Sequence, residues 1–308
     1  MNRNLKFSII IPTYNRVEFI LLAVKSALEQ RYSNFEVIIV DDGSTDTTPE
    51  VVSTITDPRI RYLRIENSER GAARNAGVRI AEGDYVTFLD SDDLLYPHYL
   101  STAAKNLNDQ ENIVFFHLGY EVRSFGKESI GFVHKYDGSD IYFLLKGNPL
   151  SCLGVFVRRQ EALLFPFNED RNLSGSEDWE LWIRLAVNFG LKRDPRVCAC
   201  LVLHDERSVV KIEEGKLIRR KMLAMKYSFK DAEVSKKFGM YWNKMDAYSD
   251  TYNSLHLMLD NQIKRSIHYL FKAFRTYPLC IFEKRTLVVL KYFVLNLFNR
   301  WFINREQS

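Results

Sequence analysis

Phe7-Ser-Ile-Ile-Ile11, Phe35-Glu-Val-Ile-Ile-Val40, Ile60-Arg-Tyr-Leu-Arg-Ile65 and Tyr85-Val-Thr-Phe-Leu89 are short runs rich in β-branched and aromatic residues. Such runs suit the pleated surface of a strand. Between them, apolar and small residues recur at helical spacing: Phe19, Leu22, Ala23, Ser26 and Ala27 first, then Pro49 to Ile55, then Ala72 to Ala81. Strand and helix therefore alternate, and helical crossovers of this kind join parallel neighbours with a right-handed turn. The expected fold is α/β: a mostly parallel central sheet flanked by helices, with a ligand crevice at the carboxyl ends of the strands.

Downstream of Asp93 the alternation loosens. The pattern predicts a helix over 97–107, a strand over 113–122, a turn-rich stretch over 124–140, a strand over 152–157, a helix over 176–189 and a strand over 196–203. From Lys211 only helical patterns remain, broken near Gly239, Asp260 and Pro278. Charge divides at the same place. Residues 1–210 carry 24 Lys+Arg against 30 Asp+Glu, and residues 211–308 carry 19 against 9. Two regions facing different surroundings are expected, 1–210 and 211–308.

A chain of 308 residues with 46% hydrophobic side chains can bury a full core, and no repeat or biased segment points to a solenoid, a fibre or disorder. Cys152, Cys198, Cys200 and Cys280 lack zinc-site spacing, and Cys198 and Cys200 fall on one face of a strand, so they read as reduced packing residues. The apolar run after Arg3 and Lys6 stops at Pro12, too short for a signal-peptide core, which suits a cytoplasmic chain. Residues 286–303 hold 13 apolar side chains in 18 but are interrupted by Lys291, Asn296, Asn299 and Arg300. A membrane span needs about 20 predominantly apolar residues. The segment reads either as a helix lying in a membrane interface or as one that packs on the rest of the chain or forms a homodimer seam. No helix-turn-helix, zinc finger or ribonucleoprotein signature favours nucleic acid as a partner.

Polar clusters follow the predicted strands: Pro12-Thr-Tyr-Asn-Arg16, Asp41-Asp-Gly-Ser44 and Asp90-Ser-Asp-Asp93. Any one alone fits a turn or helix cap. Together they converge on one crevice. Asp90 and Asp92 would repel one another in a partly desolvated site, and a hard divalent cation, Mg2+ or Mn2+, shared with a ligand's phosphates removes that cost.

These strings, with Gly71-Ala-Ala-Arg-Asn-Ala-Gly77, stand in an order that resembles the large family of inverting glycosyltransferases with the GT-A fold. The resemblance implies a nucleotide-sugar donor, UDP by default, and a glycan or lipid-linked sugar acceptor. It implies a catalytic domain over 1–210, with 1–108 the nucleotide-binding half and 109–210 the acceptor side, and a basic helical region over 211–308. It places Asp41 against the base, with Pro12, Tyr14, Arg16 and Asp42 in the same pocket. Arg74 and Asn75 would reach the donor's ribose and phosphate, Asp90 the ribose or sugar, and Asp92 the metal. Ser176-Glu-Asp-Trp-Glu180 resembles the family's acidic pair ahead of an aromatic residue, which makes Asp178 the catalytic base with Glu177 and Trp179 beside it. His204 stands where some members place a metal or diphosphate ligand. Two other readings compete. A sugar nucleotidyltransferase would want a Gly-rich basic loop after the first strand, which Pro12-Thr-Tyr-Asn-Arg16 is not. A non-catalytic scaffold would have lost an acidic group, yet Asp41, Asp90, Asp92 and Asp178 all stand. Peripheral contact of 211–308 with the inner face of a membrane is a further expectation.

Overall fold

The computed structural model describes residues 3–109, 112–124, 130–134, 140–204 and 214–306. It divides into two compact units, one of residues 1–141 with 148–211 and one of 142–147 with 212–308.

In the first unit β1 (Phe7–Thr13), α1 (Ile20–Leu28), β2 (Phe35–Asp41), α2 (Thr48–Ser53), β3 (Ile60–Arg64), α3 (Glu69–Ile80) and β4 (Tyr85–Phe88) alternate. They form the parallel order β3-β2-β1-β4. All of β1, β2 and β4 is buried, which is why these strands read as unbroken apolar runs and not as alternating ones. β5 (Leu94–Leu95), α4 (Tyr99–Asp109), β6 (Phe115–Ser124), β7 (Ile130–His134), β8 (Val155–Arg158), α5 (Arg159–Leu164), α6 (Glu177–Phe189) and β9 (Lys192–Leu203) follow. The sheet continues β4-β8-β6-β9-β5, with β7 on β6. β6 and β9 run with the first four strands; β5, β7 and β8 run against them. The sheet is thus mostly parallel.

Sequence and structure differ where local signals are weak. Cys152–Gly154 is a 3-10 turn and the strand begins only at Val155. β7 lies inside the stretch expected to be turn-rich, of which 125–129 and 135–139 fall outside the described residues. All four cysteines are buried and unpaired. Gly77 sets the approach of α3 to the sheet, since a Cβ there would stand 2.5 Å from Ile10 Cγ2. On α6, Trp182 fills the core against Phe88, Phe115 and Phe167.

The second unit is helical: α7 (Glu214–Ser228), α8 (Ala232–Phe238), α9 (Trp242–Leu259), α10 (Ile263–Thr276) and α11 (Lys284–Glu306). The break after α7 is a capping signal, since Asp231 Oδ1 accepts from the N–H groups of Glu233 and Val234. Among the described residues no helix is long and apolar enough to cross a membrane. On α9, burial pushes the Asp250 carboxyl up to about 6, with Lys272, 3.0 Å away, pulling the other way. An unfolded Asp titrates near 4, so between about pH 4 and 6 the folded form holds the extra proton and this group's contribution to stability falls as pH rises. Asp250→Asn is therefore expected to match the parent protein near pH 4 and to gain on it by about 1–2 kcal/mol at pH 7. Urea unfolding at both pH values checks this, and a difference independent of pH would contradict it.

Candidate active site

The carboxyl ends of β1, β2 and β4 open on a cavity of about 550 Å³, walled among others by Pro12, Tyr14, Arg16, Asp42, Asp90 and Asp92. Two loops are stitched together to make its rim. Gly43, at φ +76, allows the tight turn after β2 in which the Ser44 N–H donates to Asp41 Oδ1 at 2.8 Å. Asn15, also left-handed at φ +50, accepts from the Thr45 N–H at 2.7 Å while its own N–H donates to Ser44 Oγ at 3.0 Å.

Asp42 reaches across to cap α3. Its carboxylate accepts from the N–H groups of Ser68 at 2.6 Å and Glu69 at 2.9 Å, the orphan donors of that helix's first turn. Burial pushes the Asp42 carboxyl above its ordinary value against the pull of these two donors. Asp41 lies one step behind: it is fully buried, and Tyr62 Oη donates to its Oδ2 at 2.7 Å.

The acidic floor comes from the turn after β4. Ligand oxygens of Asp90, Asp92 and Asp93 all lie within 4.8 Å of one another. Asp93 is fully buried and accepts from the Val202 N–H on β9, which anchors the turn. His204, just past β9, packs its ring against Phe19 and places Nε2 3.0 Å from Asp92 Oδ2. Its buried Nδ1 has no hydrogen-bond partner among the described residues. The clustered carboxylate oxygens of Asp90, Asp92 and Asp93 form a donor set that suits a hard divalent cation.

Arg74 joins this floor to α6. It is 1% exposed; its Nη2 donates to Asp90 at 2.7 Å and its Nη1 to Glu177 at 2.9 Å, with the guanidinium over the Phe167 ring. Burial disfavours the Glu177 charge, but Arg70 and Arg74 outweigh it and hold that carboxyl below its ordinary value. Next along α6, half-buried Asp178 is oriented by Asn148 Nδ2 at 2.7 Å and by the Trp179 N–H at 2.7 Å. Cys152 lies among all of these groups. Burial drives its thiol well above the ordinary range; Arg74 opposes, and Asp178, Asp90 and Glu177 add to the rise.

The structure thus brings Pro12, Tyr14, Arg16, Asp42, Asp90 and Asp92 to one cavity, with His204 bonded to Asp92. Asp41, Arg74, Asn75, Glu177 and Trp179, expected as contacts to the donor or beside the catalytic base, stand behind the lining of that cavity. All five are buried, because the interior already takes up their polar groups or, for Trp179, its ring. Asn75 clamps the chain near Phe167, donating to Phe167 O and accepting from the Phe167 N–H, both at 2.9 Å. Asp178 stands off the cavity wall and is linked to it through Glu177, Arg74 and Asp90. Arg70, unremarked in the sequence, lines the cavity one helical turn ahead of Arg74, and that i, i+4 spacing was the available signal.

The profile of glycosyl transferase family 2 matches residues 8–163, half of the chain. The chain belongs to glycosyl transferase family 2. The chain is 39% identical over 213 residues to an uncharacterised glycosyltransferase of Rickettsia typhi, a match covering 65% of each chain. It is 31% identical over 198 residues to the Escherichia coli glycosyl transferase WcaA, named for colanic acid biosynthesis, covering 62% of this chain and 69% of that one. Its match to a Rickettsia felis relative, 37% identical, spans 59% of this chain but only 30% of that protein's length. In fold it is similar to S. aureus TarS 1-349 in complex with UDP-GlcNAc, at TM-score 0.60 and 17% identity over 89% of this chain and 92% of that one. It is likewise similar to the mannosyltransferase PcManGT of Pyrobaculum calidifontis in complex with GDP-Man and Mn2+, at TM-score 0.61 and 19% identity over 95% and 87%. The fold is the α/β glycosyltransferase architecture expected from the strand-end motifs, with a helical carboxyl-terminal region.

Proposed function

We propose that this family 2 member transfers a sugar, with inversion, from a nucleoside diphosphate donor to a hydroxyl of a glycan or lipid-linked sugar. The observation that carries the reading is the pair Asp90 and Asp92 on the wall of the strand-end cavity, clustered with buried Asp93 and tied through buried Arg74 and Glu177 to the helix bearing Asp178. In this reading Pro12, Tyr14 and Asp42 wall the base and ribose, and Arg16 and Arg70 bring positive charge to the diphosphate. Asp41, Arg74, Asn75, Glu177 and Trp179 position these groups from behind. UDP is the first donor nucleotide to try, given the UDP-GlcNAc bound by the TarS neighbour.

Asp178 accepts the proton of the acceptor hydroxyl as that oxygen bonds to the anomeric carbon. The bond from that carbon to the diphosphate breaks on the opposite face, and the diphosphate leaves with the electron pair. Asp90, Asp92 and His204 would hold a divalent cation, Mn2+ or Mg2+, which when bound offsets the charge on the leaving group. Asn148 keeps the Asp178 carboxylate aimed, and Arg74 keeps Asp90 and the α6 terminus at fixed separation. No nucleophilic side chain is required.

Thermal melting with UDP, Mn2+ and both tests the donor site. At about 100 times Kd a ligand adds roughly 2.7 kcal/mol of stability. We expect the pair to raise Tm beyond the sum of the separate shifts, and Asp92→Asn to abolish the excess. A UDP shift indifferent to Mn2+ and to Asp92→Asn would remove the metal from this reading; no shift with any nucleoside diphosphate would remove the donor.

A further inference from the structure

We infer that the end of the second unit formed by α10, the following 3-10 turn and the start of α11 is a docking surface for an anionic lipid bilayer. The turn, Pro278–Phe282, presents Leu279 at 59% and Phe282 at 80% exposure. Side chains three apart eclipse in a 3-10 helix, so these two project from one face. Phe271 on α10 is 61% exposed, and Leu287 at the start of α11 is 56% exposed. Exposed large apolar side chains are ordinary singly and informative as a group. The residues beneath them are well packed: Ala273 and Cys280 sit in a core with Ala247 and Tyr248, and Leu270 packs with Met258 and Val289. The exposure is therefore not a sign of a loosely built element.

Charge decides the occupant. Residues 263–305 contain nine Lys and Arg and a single acid, Glu283. That acid is turned inward, accepting from Lys146 Nζ at 2.9 Å and Tyr248 Oη at 2.7 Å. Lys264, Arg265, Arg275, Lys284 and Lys291 are exposed on the same elements as the apolar side chains. A second copy of the chain would bring the same positive surface against itself, which is repulsive. A bilayer of acidic lipids offers hydrocarbon for Phe271, Leu279 and Phe282 and anionic headgroups for the lysines and arginines. Since no described helix can cross a membrane, the contact is peripheral. This inference is independent of the donor chemistry.

Co-sedimentation of the full chain with vesicles tests it, using pure phosphatidylcholine and phosphatidylcholine with phosphatidylglycerol. We expect binding to the anionic vesicles only, weakened by salt as the Debye length shrinks. Lys264→Gln, Lys284→Gln and Lys291→Gln together should lower the partition coefficient on the order of a hundredfold, at about fivefold per charge. Phe271→Ser with Leu279→Ser and Phe282→Ser should abolish binding while the far-UV circular dichroism and melting curve stay unchanged, because all three side chains are exposed. Absence of binding to anionic vesicles, or equal binding to neutral ones, would overturn the inference. So would a dimer in sedimentation velocity that the Ser substitutions dissociate, because the surface would then belong to a second copy.

Discussion

Asp178→Asn is expected to lower the transfer rate by about 10²–10⁴-fold, the usual contribution of a positioned general base, and to leave the UDP and Mn2+ melting shift in place. Asn has nearly the shape of Asp, and its single carbonyl oxygen can keep the bond from the Trp179 N–H while the one from Asn148 is given up, so the fold of α6 should survive. What it loses is the capacity to take a proton. A second signature belongs to the same change: if Asp178 is the base, the acidic limb of the kcat/KM profile should vanish with it. Transfer assays over a pH series, with donor binding followed separately, check both. Full activity in the Asn variant would show that the proton leaves by another route, even if the donor site stands.

Arg74→Met is expected to cost about 3–5 kcal/mol of stability, the usual price of stripping one partner from a buried ion pair. The reason is that Glu177 is 3% exposed and would lose its nearest cation, keeping Arg70 at 3.9 Å and backbone N–H donors. Arg74→Lys should fall between, since a single ammonium cannot reproduce the fork that meets Glu177 and Asp90 at once. Because this variant would disturb both carboxylates, it is expected to weaken the Mn2+-dependent part of the nucleotide shift as well. Urea unfolding measures the first effect. Adding Glu177→Gln to Arg74→Met should restore part of the loss, as expected for two residues that share one interaction. A cost below about 1 kcal/mol, the range of an exposed pair, would mean that Arg74 reaches water.

The first four strands were legible because burial on both faces leaves unbroken apolar runs, and because the crossovers carry a helical period. β5 was not, since two residues, Leu94 and Leu95, are too few for any period; only pairing with Cys200 and Ala199 makes them a strand. The clustering of the acidic turn after β4 with the other strand ends follows from topology and was foreseen. The inward turn of Arg74 could not be. Its partners lie 16 and 103 residues away, and a lone arginine on a helix is far more often solvated than buried. The burial of Asn75 was hidden for the same reason, its amide being taken up by Phe167 across 92 residues. The contrast between Asp41, buried and bonded to the Tyr62 hydroxyl, and Asp42, on the cavity wall, is a local detail that the paired aspartates do not announce.

The cap that Asp42 provides for α3 ties together events that are usually separate. A helix closed by a residue in its own first turn can form and fray alone, but this one depends on a carboxylate 26 residues upstream. The order of assembly follows. The turn after β2 must be in place before the amino end of α3 is secure, and any fluctuation that frees the turn also loosens the helix carrying Arg70 and Arg74. The strand-end cavity and the ion-pair tether are therefore expected to open and close as a single cooperative element, with protection of their amides from hydrogen exchange rising and falling together.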